Sequence, residues 1–310
     1  MNASRALSVL ATLFVTSSVA LRASAFCRAT TCDPTKADAN CMADVHGCLS
    51  VGAPLAWASD CVTVDVQAAG APQQHIDFDA ARASVERAFA AWTNARCAGG
   101  KPAITVDVAG PITCATSEYN STQANANIVL FREDEWPYVG GQDALGVTFI
   151  SFDPKTGEIW DADIEVNAVD EPLSVGNPTP NQVDLDSLLT HEAGHLLGLT
   201  HTLDTTATMF AGYKRGTTGL RTLAADDVSG ICSVYPPSRA ASSTSCVPRH
   251  GFSDLCSANQ PAAPIEGADD VMHSSSCAAV NGSHRRASPL GALLGLGVAL
   301  TALRRARRSA

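Results

Sequence analysis

The stretch Thr190-His191-Glu192-Ala193-Gly194-His195-Leu196-Leu197-Gly198-Leu199-Thr200-His201 governs the reading of the whole chain. Two histidines at i and i+4 project from one face of a helix, so the imidazoles of His191 and His195 can reach a single metal ion. Gly198 can adopt the left-handed conformation that ends a helix. The turn it permits brings His201 round as a third nitrogen ligand. Zinc takes imidazole nitrogen readily, and three ligands leave a fourth position for a water whose pKa falls toward about 7. Glu192 stands next to the first ligand without being needed as one. Its carboxylate can therefore take a proton from that water and pass it to a leaving amine. These residues point to one catalytic zinc and to peptide hydrolysis with Glu192 as the general base.

Outward from this stretch, a helix is expected over 184–197. Upstream, residues 61–67 alternate Val62, Val64 and Val66 with polar side chains, the period of a half-buried strand. Residues 78–94 place Val85, Ala88, Phe89 and Trp92 at helical spacing behind Asp77, a helix-capping residue. Strands are expected at 103–108 and 126–131, and at 145–152 and 158–167 around the turn Asp153-Pro154-Lys155-Thr156-Gly157. A last helix over 224–235 has Asp226 and Asp227 in its first turn and stops at Pro236-Pro237. This order predicts an α+β domain over 55–236, with a mixed, twisted sheet packed on the first two helices.

The stretch from His191 to His201 matches the extended zinc-binding pattern of the metzincin metallopeptidases, and the residues after it resemble the matrixin branch. Thr202 is similar to the Ser or Thr usual after the third histidine. Ala207-Thr208-Met209-Phe210 resembles the Met-turn, which implies that Met209 forms an apolar floor beneath the metal. Tyr213 falls where matrixins place a tyrosine in the wall of the substrate pocket. The stretch from Leu223 to Ile231 resembles the start of the helix after the Met-turn, whose acidic pair supports that turn and the N-terminal region. The resemblance implies a zinc metalloendopeptidase that binds a polypeptide substrate as an extended strand along 146–152.

The chain departs from the family in having Ala211 where proline is usual, and it lacks the Pro-Arg-Cys-Gly form of cysteine latency. No His-x-Asp set suggests a second zinc. Calcium is the remaining structural ion, with Asp161, Asp163 and Glu165 as its oxygen donors, although their alternation reads more simply as the solvated face of a strand. A non-catalytic zinc-bearing surface or adhesion protein is the alternative function, and the presence of Glu192 with all three ligands argues against it.

Composition sets the remaining bounds. The 310 residues carry a formal charge of −10 and are 45% hydrophobic and 17% charged, which suits a folded domain and excludes nucleic acid as a partner. Residues 1–25 read as a signal peptide: Arg5, an apolar stretch, then Ala23-Ser24-Ala25. Eleven cysteines fit an oxidising compartment and a disulfide framework. Residues 26–54 read as a small disulfide-tied, Cys-rich extension or propeptide without regular structure. Residues 237–276 read as a Ser, Pro and Ala-rich linker carrying one small disulfide loop between Cys246 and Cys256. In 277–310, Cys277, an apolar stretch and an Arg cluster resemble the C-terminal sorting signals of myxobacterial surface proteins. That resemblance implies transient membrane association and then surface display or release; the protein is expected to be a secreted or cell-surface monomer.

Overall fold

The computed structural model describes residues 26–32, 40–138 and 144–253, and the backbone alone of 273–279. The expected signal peptide and all but the first three residues of the expected sorting signal lie outside the described residues.

The domain is built on a mixed sheet. Strands β1 (Cys61–Val66), β2 (Thr105–Val108), β3 (Ile128–Arg132), β4 (Ala144–Phe152) and β5 (Glu158–Asn167) lie in the spatial order 4-5-3-1-2. All neighbours are parallel except β4, which runs antiparallel to β5. Between β1 and β2 the chain forms α1 (Phe78–Thr93), which starts where the Asp77 carboxylate accepts the Ala80 N–H at 2.9 Å. Its buried residues Ala81, Val85, Ala88, Phe89 and Trp92 recur at helical spacing and face the core. Helix α2 (Leu185–Leu196) packs against α1 and across β4 and β5, and all twelve of its residues are buried. Helix α3 (Ala225–Val234) follows the loop after the third histidine. Among the described residues no helix is long and apolar enough to cross a membrane.

Three expectations are corrected. The extension 26–54, expected to be disulfide-tied but without regular structure, forms one short strand among its described residues. Disulfides Cys27–Cys48 and Cys32–Cys41 tie it together, and Cys27–Arg28 pairs antiparallel with Leu199–Thr200, just before His201. The linker does not close a local loop through Cys246, which bridges instead to Cys61 at the start of β1, 185 residues away. Cys97 and Cys232 join the segment after α1 to α3. Finally, residues 273–279, placed by sequence in a linker and a sorting signal, form strand β6 (His273–Ala279), which lies antiparallel along β4.

Candidate active site

The helix bearing the first two histidines is fixed at both ends. At its start the Asp184 carboxylate accepts the Ser187 N–H at 2.9 Å and pairs with Arg221. Arg87 of α1 pairs with Asp186 at 2.7 Å. Farther along, the indole N–H of Trp92 donates to the Thr190 carbonyl at 2.7 Å, and that of Trp57 donates to the Leu196 carbonyl at 2.9 Å. Gly198 then takes φ 89°, and a Cβ there would stand 2.6 Å from the Leu55 carbonyl oxygen. Only glycine combines that backbone with that approach, and the turn it makes returns the chain toward the helix.

The return brings three imidazoles together. The Nε2 atoms of His191, His195 and His201 lie 3.1 to 3.2 Å from one another. His191 Nδ1 is 2.7 Å from the Thr208 carbonyl oxygen and His195 Nδ1 is 2.9 Å from that of Leu199. A carbonyl oxygen can only accept, so both Nδ1 atoms carry protons and both Nε2 lone pairs are left for a metal. Burial, then the His201 imidazole beside it, pushes the His191 pKa down to about 3; burial followed by the His191 and His201 rings takes His195 well below its ordinary value. Converging lone pairs at this distance repel unless a cation lies among them. Zinc–nitrogen bonds of about 2.05 Å at tetrahedral angles would separate the nitrogens by about 3.3 Å, so the donor set fits zinc. Among the described residues this is the one group of His, Cys, Asp or Glu arranged to hold a metal ion.

Glu192 is fully buried, and its Oε2 accepts the Thr148 hydroxyl of β4 at 2.7 Å. A Cβ on Gly146 would meet Glu192 Oε1 at 3.0 Å, so the edge strand passes directly against the carboxylate. Beneath the helix, Met209 packs so closely that a Cβ on Gly194 would come 2.3 Å from its sulfur and 2.7 Å from Trp92 Cζ2. The Asp227 carboxylate accepts the N–H groups of Thr208 at 2.7 Å, Met209 at 3.0 Å and Ala224 at 2.8 Å. Thr208 in turn orients His191, so α3, the methionine turn and the first imidazole form one connected chain of hydrogen bonds. Tyr213 is buried, its hydroxyl accepting the Asp184 N–H at 3.0 Å and donating to the Thr217 carbonyl at 2.6 Å.

With this geometry in hand, comparison with known proteins is decisive: the family model described as Matrixin matches residues 56–236. The chain belongs to the matrixin family. This matrixin is 28% identical over 182 residues to Metalloendoproteinase 1 of Glycine max, an alignment covering 56% of the chain and 51% of the relative. It is 32% identical over 116 residues to Metalloendoproteinase 1-MMP of Arabidopsis thaliana, covering 37% and 31%. Over 68 residues it is 43% identical to Matrix metalloproteinase-16 of Homo sapiens, covering 22% and 11%. The chain thus spans about half the length of the first of these relatives and less of the others.

The matrixin's second candidate ion site, for calcium, finds no support. Asp161, Asp163 and Glu165 are buried, not a solvated strand face, because the segment ahead of β3 covers that side of the sheet. Glu165 is neutralised by Arg132 at 2.6 Å and accepts the Tyr138 hydroxyl at 2.5 Å and the Ser117 hydroxyl at 2.7 Å. Asp163 accepts the Ile128 N–H at 2.9 Å, and desolvation raises Asp161 and Asp163 well above the usual carboxylate range. Asp163 and Glu165 join neighbouring segments by these bonds, and the three carboxylates are not among the described groups arranged to hold a metal ion. Sequence reading also missed Thr148, Trp57 and Trp92 as partners of the site; Trp92 was legible only as a core residue of α1.

Proposed function

We propose that the chain is a secreted zinc metalloendopeptidase in which His191, His195 and His201 hold the metal and Glu192 is the general base. The observation that carries this reading is the convergence of three oriented imidazole nitrogens beside a buried carboxylate held by Thr148. Zinc in that set supplies Lewis acidity, which polarises a carbonyl and makes water more acidic. The protein's own groups do the rest. Glu192 takes the proton of the attacking water as its oxygen bonds to the peptide carbon, then delivers that proton to the amine nitrogen as the C–N bond breaks. The Thr148 hydroxyl fixes which carboxylate oxygen is engaged by the fold, and Asp227, through Thr208, keeps the His191 ring in place. A polypeptide would lie along β4 as an added strand, with Tyr213 in the wall of the pocket beside it. The disulfide framework fits work outside the cytoplasm.

Casein digestion by the purified chain and by Glu192→Gln, with metal analysis of both, tests the reading. About one zinc in each, with cleavage by the parent alone and its loss on chelation, is the expected result. Absence of zinc from both proteins would overturn it.

A further inference from the structure

The β4 edge against Glu192 is already paired within this chain. Strand β6 runs antiparallel to it with His273 opposite Ile150, Ser274 opposite Phe149, Ser275 opposite Thr148, Ser276 opposite Val147 and Cys277 opposite Gly146. The register shifts between Cys277 and Ala278, and Ala278 then stands opposite Ala144. On β4, Thr148 donates its hydroxyl to the Glu192 carboxylate and Gly146 stands close against it. The backbone from Ser275 to Cys277 therefore pairs with the part of β4 that borders the Glu192 carboxylate. On its other side the strand pairs parallel with Gly212–Tyr213, Ala278 facing Gly212 and Ala279 facing Tyr213.

Residues 273–279 are thus inserted between the two backbones that border the cleft. The segment has no proline to interrupt a ladder and no Lys, Arg, Asp or Glu. One strand edge accepts one partner, so a peptide cannot pair with 146–150 while β6 is there. We propose that residues 273–279 are an intramolecular pseudosubstrate, holding the cleft closed by backbone pairing until the segment is displaced. This rests on the peptidase reading for its consequence, though the occupancy itself does not.

The test uses the full chain and two single variants, Ser274→Pro and Ser275→Pro. Successive residues of a strand direct their N–H groups to opposite sides, so one of the two substitutions removes a donor to β4. Two quantities are read: hydrolysis of a quenched fluorescent peptide, and hydrogen exchange at the amides of 146–150 and of β3. An intramolecular competitor raises the apparent KM and leaves kcat at saturation alone. At least one variant should therefore show a KM lower by about tenfold at similar kcat, with exchange at 146–150 faster by about tenfold and β3 protected as before. Equal KM and equal exchange in all three proteins would overturn the proposal while leaving the peptidase reading intact. If no protein cleaves any peptide yet exchange rises as described, the occupancy stands and the peptidase reading is what fails.

Discussion

Thr148 of β4 donates a 2.7 Å hydrogen bond to Oε2 of Glu192 on α2, joining the sheet edge to the buried carboxylate over 44 residues of sequence. The hydroxyl is itself buried, so its removal leaves the carboxylate without this donor and free to rotate. Thr148→Val should lower kcat/KM about tenfold, roughly 1.4 kcal/mol in the barrier, with zinc content unchanged. Thr148→Ser should restore most of it. Steady-state kinetics paired with metal analysis checks both, and a Val variant as active as the parent removes Thr148 from the mechanism.

Gly194 has no room for a methyl group. Its Cβ would stand 2.3 Å from the Met209 sulfur and 2.7 Å from Trp92, inside a packed core. Gly194→Ala should cost about 2 kcal/mol by overpacking, a fall in Tm of roughly 4–8 °C, and should weaken zinc retention. Differential scanning calorimetry of the zinc-loaded proteins measures the first effect. An unchanged Tm would mean that Met209 moves aside at no cost.

Asp227 satisfies three backbone donors at once, those of Thr208, Met209 and Ala224. Asp227→Ala should destabilise the fold by about 3 kcal/mol or more, because buried N–H groups left without acceptors cost roughly 1–3 kcal/mol each. The urea midpoint reports it. A loss below about 1 kcal/mol would show that water replaces the carboxylate there.

The metal-free protein should weaken in mild acid. His191 has its folded pKa lowered to about 3, and His195 is shifted in the same direction by burial and its neighbours. Both groups are neutral when folded and charge readily when unfolded, so the unfolded chain binds more protons between those values and about 6.5. Their contribution is complete above about pH 6.5 and is lost as pH falls, by up to roughly 1.4 kcal/mol per pH unit for each ring. Denaturation midpoints of chelated protein at about pH 8 and about pH 5 measure this, and His191→Gln should flatten the dependence. Identical slopes for parent and variant would contradict the assignment.

What the sequence disclosed follows from what each feature depends on. The histidine and glutamate set was legible because helical spacing and one glycine determine where those side chains go, and the structure has α2 over Leu185–Leu196 with Gly198 at φ 89°. Helix α1 and strand β5 were legible for the same local reasons, a capping aspartate and a turn before an alternating run. The burial of Asp161, Asp163 and Glu165 was not, because a period of two says nothing about whether a second layer covers the polar face. The Cys61–Cys246 bridge joins residues 185 apart, and nothing local marks such a pairing. Strand β6 escaped for a related reason. Its serines and alanines have no alternation to read, and its partner is a backbone edge, which any sequence free of proline can match.

Helix α2 has no outward face: each of its twelve residues is buried. An ordinary surface helix turns an apolar stripe to the core and a polar face to solvent. Here every position answers to packing, so substitution should be most constrained in these three turns. Under the proposed function, variation that retunes recognition would accumulate elsewhere, in the β4 edge, the stretch around Tyr213 and the segment that lies between them. The reacting centre and the selective surface can thereby evolve at different speeds within one domain.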